Sequence, residues 1–330
     1  MLTIIENEDQ IRASQIQFMK LMNTMVTDRG NVMVGYKGES MEHEVFWSDK
    51  LKVWWIFSES ENRFWNAFGV GEPRWNTKYS HSITCEINPP YTGINRRVSG
   101  LFAKDFAGNV FLLHRGKIGG GRKGIGKTTF QNNYTGEWVD VVEGNAVSEV
   151  ALIGCLSSSR FPWQVANFVY DVDRIKGISS RASEPEPFPS SEFSKEFSGV
   201  KKVSMSNEEI LAKCDHGLIV NTLADILKKL GLKVGNTKNI DLYVLDKQKK
   251  HLAHFEIKTS MTFGDCYGAI GQLLYHSVKL HEKPKLFAVF PEGIAKEFVD
   301  VMEELGIIYV PYSWSNDYPD FGNINFKLLI

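Results

Sequence analysis

The sequence predicts two domains of different class, a β-rich α+β domain over residues 1–176 and an α/β domain with a mixed sheet over residues 206–330. Three observations support this division. The stretch from residue 177 to 205 is rich in Ser, Pro and charge and has little hydrophobic periodicity, which is typical of a linker. Seven of the eight tryptophans precede that stretch. Short β-branched and aromatic runs dominate the first part, whereas helix-length and strand-length patterns alternate in the second.

The bulk composition is that of a folded protein, with 43% hydrophobic and 23% charged residues. The formal net charge of −1 indicates no global attraction to polyanions, so a nucleic-acid surface must be sought locally. The four cysteines form no CxxC pair, which excludes a zinc ribbon and argues against a disulfide framework. The acidic start MLTIIENEDQ lacks the features of a signal peptide, and no apolar run reaches the length of about 20 residues that a membrane helix needs. We therefore expect a cytoplasmic protein without a membrane partner.

The first domain is predicted to begin and end with a helix. An amphipathic pattern covers Glu8 to Val26 and offers one apolar face, formed by Ile11, Ile16, Phe18, Leu21 and Met22. The apolar runs that follow are short and are broken by Gly, Asn and Pro, which predicts strands. The pair Gly108-Asn109 between two such runs predicts a hairpin. A helix from Phe161 to Lys176 is expected to close the domain.

The second domain is predicted to have the element order α-β-β-β-α-β-α-β. A helical pattern runs from Asn207 to Leu230, and Gly231 provides a C-terminal stop. The predicted strands are LKV, IDLYVL, HLAHFEIKTS, KLFAVF and IIYV, and the two later helices cover Tyr267–Leu280 and Ile294–Leu305. This order predicts a mixed sheet with helices on its faces.

Charged residues stand inside two of these predicted strands. Asp241 begins one strand, and Glu256 lies within the next. Lys258 follows two residues later, so its side chain shares a strand face with Glu256, whereas Leu252, Phe255 and Ile257 are expected on the apolar face. Such charges are costly inside a strand unless they are paired or bind a metal ion. Asp241 and Glu256 could supply the one or two carboxylates that Mg²⁺ commonly takes from a protein.

The pattern Ile240-Asp241, then Phe255-Glu256-Ile257-Lys258, resembles the PD-(D/E)xK nuclease superfamily, which includes many restriction endonucleases. Asn239 and Ile240 stand where that family usually has a proline before the aspartate. Gln272-Leu-Leu-Tyr275 in the next helix resembles the QxxxY motif of the RecB-like and related branches. The resemblance covers residues 206–312. It implies a restriction-endonuclease-like sheet, Mg²⁺ as cofactor with Mn²⁺ as a substitute, and an active site made of Asp241, Glu256, Lys258, Gln272 and Tyr275.

The leading helix in this superfamily often adds another polar residue to the site. Glu209, His216 and Asp225 are the candidates, and the sequence does not choose among them. His251 and His254 are at odd spacing on one predicted strand, which places them on opposite faces and argues against a zinc pair.

A basic glycine-rich segment, HRGKIGGGRKGIGK from His114 to Lys127, lies in the first domain. Its cations suit contacts with nucleic-acid phosphates: Arg115, Lys117, Arg122, Lys123 and Lys127. The alternative is a solvated basic loop without a partner. GRKGIGKT also matches the Walker A pattern formally, but six residues separate it from FLLH, and TFQNNYTGEW is a poor helix. No nucleotide cofactor is therefore expected.

Five tryptophans, Trp47, Trp54, Trp55, Trp65 and Trp75, fall close together in the first domain. They could form the aromatic walls of a pocket for a flipped, modified base. The alternative is that they are ordinary core residues, in which case no open cavity would lie between them.

The expected function is that of a type II restriction endonuclease acting on double-stranded DNA. The first domain would recognise DNA and the second would cut it, and a homodimer would supply the two active centres for two strands. The alternatives are a modification-dependent restriction enzyme or another phage-defence nuclease. A repair nuclease, or a DNA-binding protein with an inactive nuclease fold, is a more distant alternative.

Overall fold

A computed structural model describes residues 1–36, 39–118, 126–180, 207–237, 239–278, 280 and 282–326. The chain divides into two compact units, Met1–Ile210 and Leu211–Ile330. Both contain strands and helices, and the described residues as a whole form an α/β protein with mixed sheets and six helices. Most of the predicted linker, residues 181–205, lies outside the described residues, while residues 177–180 belong to a helix.

The first unit is rich in strands, as predicted. In chain order it contains β1 (Leu2–Ile4), α1 (Glu8–Asn23), β2 (Asp28–Tyr36), β3 (Glu39–Ser48), β4 (Val53–Ser60), β5 (Arg63–Val70), β6 (Ser80–Ser82), β7 (Cys85–Glu86), β8 (Gly100–Lys104), β9 (Val110–His114), α2 (Lys127–Asn133), β10 (Trp138–Glu143), β11 (Ala146–Cys155) and α3 (Phe161–Ser180).

Two sheets organise these strands. One is a closed barrel in the order β1-β10-β11-β9-β8, in which β1 pairs parallel to β10 and antiparallel to β8. The other is a sheet in the order β6-β2-β3-β4-β5-β7. The predicted hairpin joins β8 to β9, and Gly108 takes the positive φ of 87° that its turn requires.

The face of α1 differs in one residue from the predicted one. Ile11, Phe18 and Met22 are buried, but Ile16 is 65% exposed. Asn7 begins the helix by accepting a hydrogen bond from the backbone N–H of Gln10, as an N-cap residue does.

The tryptophans of the first unit belong to its core. Trp47, Trp54, Trp55 and Trp65 are between 0% and 8% exposed, and Trp75 packs against the same apolar cluster as Trp47, Trp54 and Trp65. The hypothesis of an aromatic base pocket is therefore wrong for these residues, because their rings pack on aliphatic and aromatic neighbours. Sequence spacing alone does not distinguish a cage from a core.

Gly69 is the residue that lets the Trp54 ring lie flat against the neighbouring strand. It pairs directly with Trp54, and a Cβ at this position would lie 2.2 Å from two atoms of the indole ring. We expect Gly69→Ala to lower the free energy of unfolding by about 1–3 kcal/mol, the usual cost of overpacking a core. Urea unfolding would measure this loss. Gly177→Ala, where a Cβ meets open space within α3, should instead stabilise slightly, so equal effects would contradict the packing argument.

The second unit follows the predicted element order, and its first helix begins at Asn207, just before the unit boundary at Leu211. It contains α4 (Asn207–Lys229), β12 (Lys233–Thr237), β13 (Ile240–Leu245), β14 (His251–Ile257), α5 (Phe263–Val278), β15 (Lys285–Pro291), α6 (Lys296–Glu304) and β16 (Ile307–Ser315), followed by β17 (Tyr318–Asp320), which was not predicted. Gly231, with φ of 82°, ends α4, and the N–H of Leu232 caps the helix at the carbonyl of Leu227.

The sheet of the second unit has the order β12-β13-β14-β15-β16-β17 and is mixed. Pairs β14–β15 and β15–β16 are parallel, and the other pairs are antiparallel. One apolar cluster joins α4 to Phe255 and Ile257 of β14. A second cluster joins α5 and α6 to β15 on the opposite face. The alternation of β14 therefore directs Glu256 away from α4 and toward the side of α5.

Candidate active site

Asp241 and Glu256 meet because β13 and β14 are antiparallel neighbours. The pair Leu242↔Phe255 fixes the register, so Asp241 lies opposite Glu256 one step further along, on the other face. The Oδ2 atom of Asp241 accepts a hydrogen bond from the backbone N–H of Ile257 at 2.8 Å. This contact holds the Asp241 carboxylate against β14. The two carboxylates thus form the predicted acidic pair.

Lys258 completes the predicted triad. Its Nζ atom lies 2.7 Å from Glu256 Oε1 and 2.8 Å from Gln272 Oε1 on α5. Its backbone N–H donates to the carbonyl of Val289, which continues the β14–β15 ladder by one residue and fixes the position of the lysine. The Lys258 side chain is 19% exposed. It therefore has access to water while two protein oxygens orient it.

Of the candidates on the leading helix whose side chains the structure describes, His216 reaches this centre. Its Nε2 atom lies 3.3 Å from Asp241 Oδ2. Asp225 instead lies 3.4 Å from Lys228 on the exposed surface. The side chain of Glu209 lies outside the described part of α4. The sequence did not show which of the three polar residues reaches the site, because their distances to β13 depend on how α4 packs on the sheet.

The environment shifts the pKa values of the two carboxylates in opposite directions. Burial, and then the negative charge of Asp241, raise the pKa of Glu256 to about 7 despite Lys258. Burial also opposes ionisation of Asp241, but His216 and the N–H of Ile257 outweigh it and hold its pKa below the usual value. Asp241 is thus the carboxylate that stays ionised more easily. The raised pKa of Glu256 reflects its burial first and the neighbouring Asp241 carboxylate second.

The chemistry of the donor set fits a hard divalent cation. Two carboxylates face each other in a site where Glu256 is only 4% exposed, and such a cation would relieve their repulsion. Mg²⁺ usually takes one or two carboxylates and keeps several waters. Across the described ranges, no group of three or more His, Cys, Asp or Glu side chains is arranged to hold a metal ion.

Of the two residues of the predicted helix motif, Gln272 lies in the site and Tyr275 lies on the exposed surface. Gln272 binds Lys258, but Tyr275 is 58% exposed and its ring packs edge-on to His276 at 5.2 Å. His276, four residues after Gln272, lines a narrow hollow over Glu256 together with Gln272 and His254. Positions i and i+4 share a helix face. The fourth position after the glutamine is thus His276, a residue that the sequence reasoning missed.

The prediction that His251 and His254 lie on opposite faces is wrong. The register of β13 and β14 shifts between Val244 and Leu245. Val244 pairs with Ala253 and Leu245 pairs with His251, so Leu252 has no partner on β13. This bulge reverses the alternation. His251 Nδ1 lies 2.7 Å from His254 Nε2, and Leu252, predicted on the apolar face, is 38% exposed. Burial, then His251 and His276, lower the pKa of His254 to about 4.

The predicted phosphate-binding cations of the first unit have separate environments. Arg115 is 7% exposed and forms an ion pair with Glu143 at 2.5 Å, so it is not a surface contact. Lys117 and Lys127 are exposed. Arg122 and Lys123 lie outside the described residues.

The residues after the glycine-rich segment form α2, a helix that TFQNNYTGEW did not predict. The preceding strand β9 pairs antiparallel to β8 and β11. The parallel βαβ arrangement of a Walker A site is therefore not formed around β9. The helix predicted from Phe161 to Lys176 is α3.

Comparisons with protein-family models, with curated proteins and with solved structures found no match to this chain. In the part of the chain that the structure describes, no helix combines the length and the hydropathy needed to cross a membrane.

Proposed function

We propose that the chain is a Mg²⁺-dependent DNA endonuclease of the restriction type, with its active site in the second unit. The observation that carries the proposal is the convergence of Asp241, Glu256 and Lys258 where β13 begins and β14 ends, in two neighbouring inner strands of a mixed sheet. His216 and Gln272 extend the same network from two helices. The resemblance of these residues to the PD-(D/E)xK nucleases supports the same chemistry.

The roles of the residues follow from their contacts. Asp241 and Glu256 would hold the metal ion, which supplies charge stabilisation at the phosphorus when bound. Lys258 is placed to orient the attacking water or, as the neutral amine, to help deprotonate it, because its side chain is partly exposed beside Glu256. Gln272 holds Lys258 in that position, and His216 holds Asp241. The last two are positioning residues.

Cutting both strands of a duplex requires two such centres. The Asp241–Glu256–Lys258 centre serves one strand, so we infer a homodimer, or a transient pairing of two chains on DNA. The first unit would contact the DNA and select its target. Type II restriction is the preferred role, and cleavage that requires a modified base is the alternative.

The experiment is cleavage of phage and plasmid DNA by the full chain, with each DNA supplied in unmodified and methylated form. With Mg²⁺ or Mn²⁺ we expect discrete cuts, and with EDTA we expect none, because two carboxylates without a cation offer no charge stabilisation to the phosphate. Sequencing of the ends would give the site and cut position. Cutting only methylated DNA would select the modification-dependent role. Equal cleavage in EDTA, or no cleavage of any substrate with either metal, would reject the nuclease proposal.

A further inference from the structure

A cationic site lies in the first unit, in a hollow of about 700 Å³. One wall is the turn between β4 and β5, with Asn62 and Arg63. The other wall is the segment before β8, with Asn95, Arg96 and Arg97. This volume falls within the range of about 300–1,000 Å³ that is common for ligand sites, and three arginines line it.

The hollow has a fixed shape. The N–H of Gly93 donates to the carbonyl of Glu6, and Asn95 accepts a hydrogen bond from the N–H of Arg97. Tyr91 ties the same segment to the opposite wall, because its hydroxyl donates to the carbonyl of Ser60. Both walls are thus held by hydrogen bonds before any ligand enters.

Arg63 and Arg97 are the cations that this hollow offers to a ligand. The Nε atom of Arg63 is buried and has no hydrogen-bond partner among the described residues. A buried donor of this kind is uncommon in native proteins, and an anion or a water at this point would supply the missing acceptor. Arg97 is exposed at the same wall. Arg96, by contrast, is already engaged, since its Nε lies 3.0 Å from Glu143.

Further cations lie close to the same wall. Lys117 donates from Nζ to the carbonyl of Arg96. Burial, then the charges of Arg115, Lys127 and Arg97, lower the pKa of Lys117. Glu143 neutralises part of this charge by pairing with Arg96 and Arg115. Arg63, Arg97, Lys117 and Lys127 are left to act on an anion.

We propose that this hollow, the arginine pocket, binds a nucleotide unit of a nucleic-acid strand through its phosphate. Arginine forks match phosphate oxygens in geometry and charge. The side-chain amides of Asn62 and Asn95 provide both donors and acceptors for a sugar or a base edge. The choice of a nucleic-acid strand over a free nucleotide rests on the proposed nuclease function.

The test measures binding of a labelled 30-base-pair duplex by fluorescence anisotropy in EDTA, where no cleavage takes place. We expect Arg63→Gln and Arg97→Ala each to weaken binding about tenfold and to reduce the slope of log affinity against log salt by about one. Arg29→Ala, an exposed arginine on β2 away from the pocket walls, is the matched control and should bind as the wild type does. Thermal melting of each variant verifies folding, and Arg97→Ala changes an exposed side chain only.

Equal losses in all three variants would indicate diffuse attraction and overturn the pocket, as would unchanged binding in both pocket variants. Titration with adenosine monophosphate separates the two sources of phosphate: binding of the free nucleotide without binding of the duplex would overturn the nucleic-acid assignment. Because the measurement uses no metal ion, its outcome is independent of cleavage. If the wild type cuts DNA and the pocket variants bind the duplex normally, only the arginine-pocket proposal is refuted. If duplex binding depends on the pocket but the wild type does not cut DNA, only the nuclease proposal is refuted.

Discussion

Replacing Glu256 with Gln is expected to lower Mg²⁺-dependent DNA cleavage about a thousandfold, because a neutral amide does not provide the anionic ligand and several kcal/mol of charge stabilisation are lost with it. The fold should survive the change. Glutamine has nearly the same volume and keeps an oxygen for Lys258 Nζ, which lies 2.7 Å from Oε1 in the wild type. The carboxylate is also partly protonated near neutral pH, since its pKa is raised to about 7.

The measurement is the rate of plasmid cleavage, accompanied by thermal melting and by duplex binding in EDTA. Glu282→Gln is the matched control, because Glu282 is an exposed carboxylate of the same unit that pairs with Lys250 at 2.6 Å. We expect the control to cut at the wild-type rate. Cleavage by Glu256→Gln within a few-fold of wild type would remove Glu256 from the active site.

Replacing Glu143 with Ala is expected to lower the free energy of unfolding by about 3–5 kcal/mol, the usual result of leaving one member of a buried ion pair without its partner. Arg115 is 7% exposed and its Nε atom has no aligned acceptor among the described residues. Burial alone would raise the pKa of Glu143, but hydrogen bonds from Arg96 and Arg115 hold it below the usual value. Glu143 therefore stabilises two arginines as an anion.

Urea unfolding of the full chain, followed by tryptophan fluorescence, would report this loss, since seven of the eight tryptophans lie before residue 177. Glu149→Ala is the control on the neighbouring strand β11, where the side chain is exposed and a change within about 0.5 kcal/mol is expected. If both variants unfold at the same urea concentration, the Arg115–Glu143 ion pair does not contribute the expected free energy of unfolding.

Strand alternation was sufficient to predict how the core of the candidate site is arranged. Glu256 and Lys258 could be placed on one face because the apolar residues Phe255 and Ile257 had to lie on the other, and the structure places them so. The strand register that brings Asp241 beside them was not predicted. The helices and strands of the second unit, apart from β17, followed in the same way from periodicity and from the stop at Gly231. That these residues act as a nuclease remains a prediction.

What the sequence could not predict depended on irregular backbone and on packing between distant elements. The extra residue Leu252 in β14 reverses the faces of His251 and His254, and no local pattern marks such a bulge. His216 reaches Asp241 only because of how α4 packs on the sheet. Arg115 lies in a basic run and was predicted to be a surface cation. It is buried instead, because it forms an ion pair with Glu143, which is distant in sequence.

The closure of the barrel has a consequence for how the chain folds. β1 is synthesised first, but its partners are β8 and β10, and the pairing joins Leu2 to Val141. Contacts this far apart in sequence are slow to form, because a long loop must close before they contribute stability. On the ribosome, β1 can pair with β8 once that strand has emerged, but its other side stays unpaired until β10 has emerged. We therefore expect closure of the barrel through the β1–β10 pair to be a late folding step, and β1 to be open to proteolysis until then.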